Sequence, residues 1–147
     1  MEHTLYADEV TAGMPVPVFA LPLTPQRLVM EAASNRDFAP IHHDAEFARQ
    51  TGAPTMYANT MLVQAMFDAT LRQWMGLGGR LRMLDISMRS FSCAGEVLAC
   101  EGRVEQVRTE GAESLADVEL WATAGGRRSV TGRATVVLPR DRPGRPG

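Results

Sequence analysis

Cysteine is scarce: the 147 residues hold two, Cys93 and Cys100, seven apart in a segment that reads as strand. One pair cannot staple a disulfide scaffold, and no Cys-x-x-Cys or histidine cluster accompanies it to bind a metal. Both are therefore expected to be small core residues. No apolar run approaches the roughly 20 residues that span a bilayer. The first ten residues, Met1 to Val10, are acidic and lack a signal-type apolar stretch, so a cytoplasmic, non-membrane protein is expected. Excess positive charge is missing too. A net charge of −2 argues against nucleic acid as a partner. There is no internal repeat and no glycine-rich phosphate loop.

What is present suits one compact domain. Apolar residues make up 45% and charged residues 22%, enough to build a core without staples. Val16–Leu21 sits among prolines and suits an edge strand. Thr24-Pro25 reads as a helix cap followed by proline in the first turn, opening a helix over Pro25–Ser34 with Leu28, Val29 and Ala32 inward. Asp44 can cap a short helix over Ala45–Gln50, which Gly52 ends. The longest helical pattern covers Thr60–Met75; apolar residues spread widely around it, so burial on most sides is expected.

After Gly79 the period becomes two. Strands are expected over Leu81–Phe91, Val97–Val107, Glu113–Thr123 and Ser129–Leu138, separated by Ala94-Gly95, Glu110-Gly111 and Gly125-Gly126. A long helix followed by an antiparallel meander implies an α+β layer with the sheet wrapped around the helix. The domain covers residues 1–139. Residues 140–147, rich in Pro, Arg and Gly, are expected to form a disordered tail.

The chemistry concentrates in Arg36-Asp37-Phe38-Ala39-Pro40-Ile41-His42-His43-Asp44. Pro40 fixes its own backbone and pushes Ala39 to an extended conformation. Such a loop can aim Asp37 and His42 at one point. A carboxylate and an imidazole so placed can hold one water and move its protons, with no metal and no covalent intermediate. Loop Asp and His residues also commonly only cap turns. His43 reads as a solvent-facing neighbour and Asp44 as a cap. His3 is set aside with a loose terminus. Met56, Met61, Met66, Met75, Met83 and Met88 either fill the core or line an adaptable apolar tunnel.

Ser34 to Ala48 resembles the Asp-x-Asn-Pro-(aliphatic)-His-x-Asp motif of the MaoC-like, (R)-specific enoyl-CoA hydratase (hydratase 2) family. Gly52 to Leu62, Phe91 to Glu96 and Thr131 to Pro139 resemble further family segments in the same order, so the likeness spans about residues 15–139. It implies a hot-dog fold. It also implies a hydro-lyase that adds water to an enoyl thioester or removes it from a 3-hydroxyacyl thioester. The substrate would be carried on coenzyme A or an acyl carrier protein, with no further cofactor. By position Asp37 and His42 match the family's catalytic pair. Asn59, with Thr60 beside it, falls where a family glycine starts the central helix and helps bind the thioester oxygen; the plainer reading of Asn59 is a cap for that helix. Ala39 departs from the motif's asparagine. Arg36-Asp37-Phe38 through His42-His43-Asp44 is similar to the small catalytic subunit of a bacterial steroid side-chain enoyl-CoA hydratase, which pairs with a related chain. A homodimer or higher assembly, or a heteromer with a related hot-dog chain, is implied. The alternative is a non-catalytic acyl-thioester-binding subunit serving an active partner.

Overall fold

The computed structural model describes residues 3–140. The expected tail, apart from Arg140, lies outside the described residues. The strands are β1 (Pro15–Pro22), β2 (Arg80–Met88), β3 (Val97–Glu110), β4 (Glu113–Ala124) and β5 (Arg127–Leu138), and the helices are α1 (Pro25–Ser34), α2 (Ala45–Gln50) and α3 (Thr60–Met75). The strands form one antiparallel sheet in the order β1-β3-β4-β5-β2. With α3 packed across it, this is the expected α+β hot-dog architecture.

The helix bounds follow from caps. Thr24 accepts from the Arg27 N–H, and Asp44 accepts from the N–H groups of Glu46 and Phe47, each satisfying donors that a first turn leaves without partners. At the far end of α3, Gly76 adopts φ 69° and a Cβ there would lie 2.0 Å from the His3 carbonyl oxygen, so only glycine fits. His3 is correspondingly not loose. Its Nε2 lies 3.0 Å from the Trp74 carbonyl oxygen, and its own carbonyl accepts from the Leu77 N–H.

Several expectations need correction. The four later strands are not one meander: β3, β4 and β5 are, but β2 pairs with β5 at the opposite edge. Ala94-Gly95 is accordingly a bend in a crossing connection rather than a hairpin. β2 stops at Met88, because the Arg89 and Ser90 N–H groups both turn to one acceptor, the Ser129 carbonyl. Residues 89–91 thereby leave the ladder. α3 buries a stripe rather than most of its circumference: Leu62, Val63, Met66, Phe67, Thr70, Leu71, Trp74 and Met75 are buried, while Gln64 and Arg72 face outward. On α1, Leu28 and Ala32 are buried but Val29 is exposed.

The core lies between α3 and the inner sheet face, where Val104, Val118, Leu120, Ala122, Val130 and Val136 meet Phe67 and Leu71. Each fully buried large side chain of this kind contributes roughly 1.5–3 kcal/mol. Cys100 belongs to this core, Cys93 is also buried, and both are free thiols. The outer sheet face is charged and cross-linked by ion pairs such as Arg82–Glu110 and Arg108–Asp117.

Candidate active site

The site begins where α1 ends. The Arg36 N–H donates to the Ala33 carbonyl and the Asp37 N–H to the Ala32 carbonyl, the double closure of a Schellman motif. Arg36 takes the left-handed position at φ 56°, which favours glycine and costs an arginine about 1 kcal/mol. This turn carries Asp37 off the helix axis. Ala39 is extended, as the following proline requires, and Pro40 opens a single 3-10 turn over Pro40–His42. That turn brings His42 back over Asp37: His42 Nε2 lies 3.1 Å from Asp37 Oδ2, with the side chains 7% and 33% exposed.

The other ring nitrogen fixes the proton inventory. His42 Nδ1 lies 2.7 Å from the Tyr57 carbonyl oxygen, which can only accept, so Nδ1 carries a hydrogen. At this contact distance Nε2 and Asp37 Oδ2 can share one further proton. Without it, both atoms present lone pairs and can jointly accept the two hydrogens of a water. The Tyr57 ring meets His42 edge-on at 5.5 Å between centroids and stacks at a tilt on Phe91 at 4.7 Å.

Asn59 joins the pair from α3. It is 5% exposed; its Oδ1 accepts from the Leu62 N–H at 2.9 Å and its Nδ2 donates to Asp37 Oδ2 at 3.0 Å. The Ala39 N–H reaches Asp37 Oδ1 at 3.3 Å. The Asn59 bond, above all, holds the Asp37 carboxyl below its ordinary range, with help from Ala39 and His42 and against partial burial. Glu31 of α1 lies close enough to feel both members of the pair, and burial pushes its carboxyl up.

Asp37, His42, Asn59 and Thr60 line one cleft of about 590 Å³, together with Ile41, Met61, Met88 and Phe91. Asn59 caps α3, so the helix points its N-terminus at this cleft. An α-helix leaves its first N–H groups without intrahelical partners; here the Asn59 side chain covers that of Leu62, leaving those of Asn59, Thr60 and Met61 at the cleft. They concentrate the positive end of a 16-residue helix where an oxyanion could be held. Among the described residues, no three or more His, Cys, Asp or Glu side chains group as a metal site. No helix among them is long and apolar enough to cross a membrane.

His43 is exposed and Asp44 caps α2, leaving Asp37 and His42 as the pair the loop brings together. The methionines divide: Met56, Met66 and Met75 are core, Met61 and Met88 edge the cleft, and Met83 is exposed elsewhere. Tyr57 and residues 89–91 were missed. Tyr57 acts through its carbonyl, which has no sequence signature, and residues 89–91 were absorbed into a strand.

This fold and cleft place the chain in a recognisable structural class. No family profile matches the chain, and no curated protein matches it. Its structural neighbours are MaoC-like dehydratases, (R)-hydratases and the ChsH1-ChsH2 complex. The (R)-hydratase of A. caviae involved in PHA biosynthesis is 25% identical, with TM-score 0.79 over 88% of this chain and 98% of that one. The MaoC-like dehydratase from Rhodospirillum rubrum is 18% identical, with TM-score 0.81 over 94% of this chain and 99% of that one. The ChsH1-ChsH2 complex from Mycobacterium tuberculosis contains a chain 19% identical, with TM-score 0.79 over 88% of this chain and 98% of that one. The chain shares their hot-dog fold.

Proposed function

We propose that this protein is a hydro-lyase acting on an acyl thioester. It adds water across the double bond of an enoyl thioester, or removes water from a 3-hydroxyacyl thioester, with the acyl group carried on coenzyme A or an acyl carrier protein and no other cofactor. The observation that carries this reading is the Asp37–His42 contact at 3.1 Å in an apolar cleft onto which a helix N-terminus opens.

The chemistry follows from that arrangement. Asp37 ionised and His42 Nε2 unprotonated orient one water through its two hydrogens. The water oxygen bonds to the β-carbon as one proton passes to the pair. The electrons of the double bond move onto the thioester oxygen. Backbone N–H groups at Asn59–Thr60 stabilise that charge, each such donor contributing roughly 3 kcal/mol. The proton held by the pair then passes to the α-carbon. Dehydration runs the same steps backward. The cleft walls, Ile41, Met61, Met88 and Phe91, take the acyl chain.

The neighbours support the reading as hydratases and dehydratases by name, and two of them, ChsH1-ChsH2 and the HadBC 3R-hydroxyacyl-ACP dehydratase from Mycobacterium tuberculosis, are named as complexes. A dimer or larger assembly of this chain, or its pairing with a related hot-dog chain, belongs to the same proposal. The test is hydration of trans-2-enoyl-CoA substrates of graded size, followed by loss of the enoyl absorbance. Asp37→Asn and His42→Ala should each lower kcat by about 10²–10⁴-fold with unchanged circular dichroism. Wild-type rates in either variant would overturn the mechanism. Binding without turnover, at every chain length and in every assembly, would leave the non-catalytic subunit.

A further inference from the structure

Asn59 has a carboxamide with two ends, and the structure uses both. Its oxygen accepts from the Leu62 N–H at 2.9 Å, while its nitrogen donates to Asp37 Oδ2 at 3.0 Å. The second bond joins residues 22 apart in the chain and links the head of α3 to a loop that otherwise holds Asp37 weakly. Among the described residues, the other groups on that carboxylate are the Ala39 N–H at 3.3 Å and His42 Nε2 at 3.1 Å. Ala39 has no polar side chain to add. Without Asn59, a side chain that is 33% exposed would be free to turn to solvent.

We infer that Asn59 is a positioning residue that orients Asp37 toward His42 and the reacting water, and that its side chain is therefore not the donor to the thioester oxygen. Three observations converge. Asn59 is almost fully buried, so its amide cannot be satisfied by bulk solvent. Serine, aspartate or threonine would cap α3 equally well, but only an amide of this length caps with one end and donates to a carboxylate with the other. The Asn59 Nδ2 bond ends on Asp37 Oδ2, the same oxygen that His42 Nε2 contacts, so the Asn59 amide occupies one lone-pair direction of Oδ2 and leaves the other for a proton. The oxyanion role then falls to backbone N–H groups alone, at Asn59 and Thr60. This inference rests on the hydro-lyase reading for its kinetic consequence, not for its structural one.

Asn59→Ser separates the two duties, because serine keeps the cap and loses the reach to Asp37. The full chain is assayed two ways. In the first, the Asp37 carboxyl is titrated by carbon NMR; the charged groups facing it are His42 and Glu31, both unchanged in the variant. The Asp37 titration should move to higher pH in Asn59→Ser, since the ionised form loses a donor. It should move further in Asn59→Asp, which keeps the cap and sets a second carboxylate against the first. In the second, kcat should fall by about tenfold or more in Asn59→Ser with KM little changed, the signature of misplaced chemistry rather than lost binding. The thermal midpoint should stay near wild type, whereas Asn59→Ala should lower it through loss of the cap. An unmoved Asp37 titration in both Asn59→Ser and Asn59→Asp would overturn the inference. So would wild-type kcat in Asn59→Ser. If the wild type hydrates nothing, the hydro-lyase reading fails, and the Asp37 titration alone decides the placement of Asn59.

Discussion

At the scale of single residues, the cleft mixes fully satisfied polar atoms with one that is not. His42 uses Nδ1 on a carbonyl and Nε2 on Asp37, and Asn59 uses both ends of its amide. Ser90, on the segment that breaks from β2 into the cleft wall, has a buried Oγ with no partner among the described residues. A buried hydroxyl left unpaired costs free energy that an apolar group of similar shape does not. Ser90→Ala should therefore leave stability unchanged or raise it by up to about 1 kcal/mol, measured as a shift in the urea midpoint at constant slope. A clear loss of stability would show that the hydroxyl has a partner. Asp37 and His42 were legible at this scale because a proline-shaped loop held both within one short motif. Asn59 was legible as a helix cap. Its bond to Asp37 was not, since nothing in the local pattern around position 59 records that position 37 lies opposite.

At the scale of elements, helices and sheet differ in how they were encoded. Thr24-Pro25, Asp44 and Asn59 marked the helix starts, and the stretches Pro25–Ser34, Ala45–Gln50 and Thr60–Met75 formed as those signals required. A cap acts on the turn that follows it, so it can be read locally. Pairing of β2 with β5 rather than β3 is a long-range choice that alternation cannot express. The outer sheet face shows what ties β4 to its two neighbours. Asp117 of β4 accepts from Arg108 Nε at 2.7 Å and Gln106 Nε2 at 2.8 Å on β3, and from Thr135 Oγ1 at 2.7 Å on β5. Arg108, foremost, holds this carboxyl down at about 2. A folded value below the unfolded one, near 3.9, means the stabilisation is full above the unfolded value and fades as pH falls toward 2. Asp117→Asn should thus cost about 1–2 kcal/mol at neutral pH, discounted for the half-exposed arginine, with the difference from wild type shrinking below about pH 4. Denaturant titrations at several pH values read this directly, and a difference that did not change with pH would contradict it.

At the scale of the molecule, the sheet and the site are two parts of one packing problem, and the cysteines report on each separately. Cys100 lies in β3 against the core at 0% exposure, and burial pushes its thiol up to about 12. Cys93 lies in the connection 89–96, is 3% exposed, and is also pushed up by burial. That connection carries the cleft: the Ala58 N–H donates to the Ser92 carbonyl and the Ala94 N–H to the Met56 carbonyl. These bonds flank Tyr57, whose carbonyl holds His42. Because only the thiolate reacts, neither thiol should be alkylated at pH 8 in the folded protein, and labelling must wait for opening. Cys100 can open only when α3 leaves the sheet, which is global unfolding. Cys93 needs only the short connection to lift, a local opening rather than a global one. Pulse alkylation across a urea series, read by mass spectrometry, should label Cys93 at lower urea than Cys100. Cys100 labelling should coincide with the loss of circular dichroism. If the two thiols were labelled together, the connection would be part of the same cooperative unit as the sheet. His42 and its carbonyl anchor would then come apart only when the whole fold does.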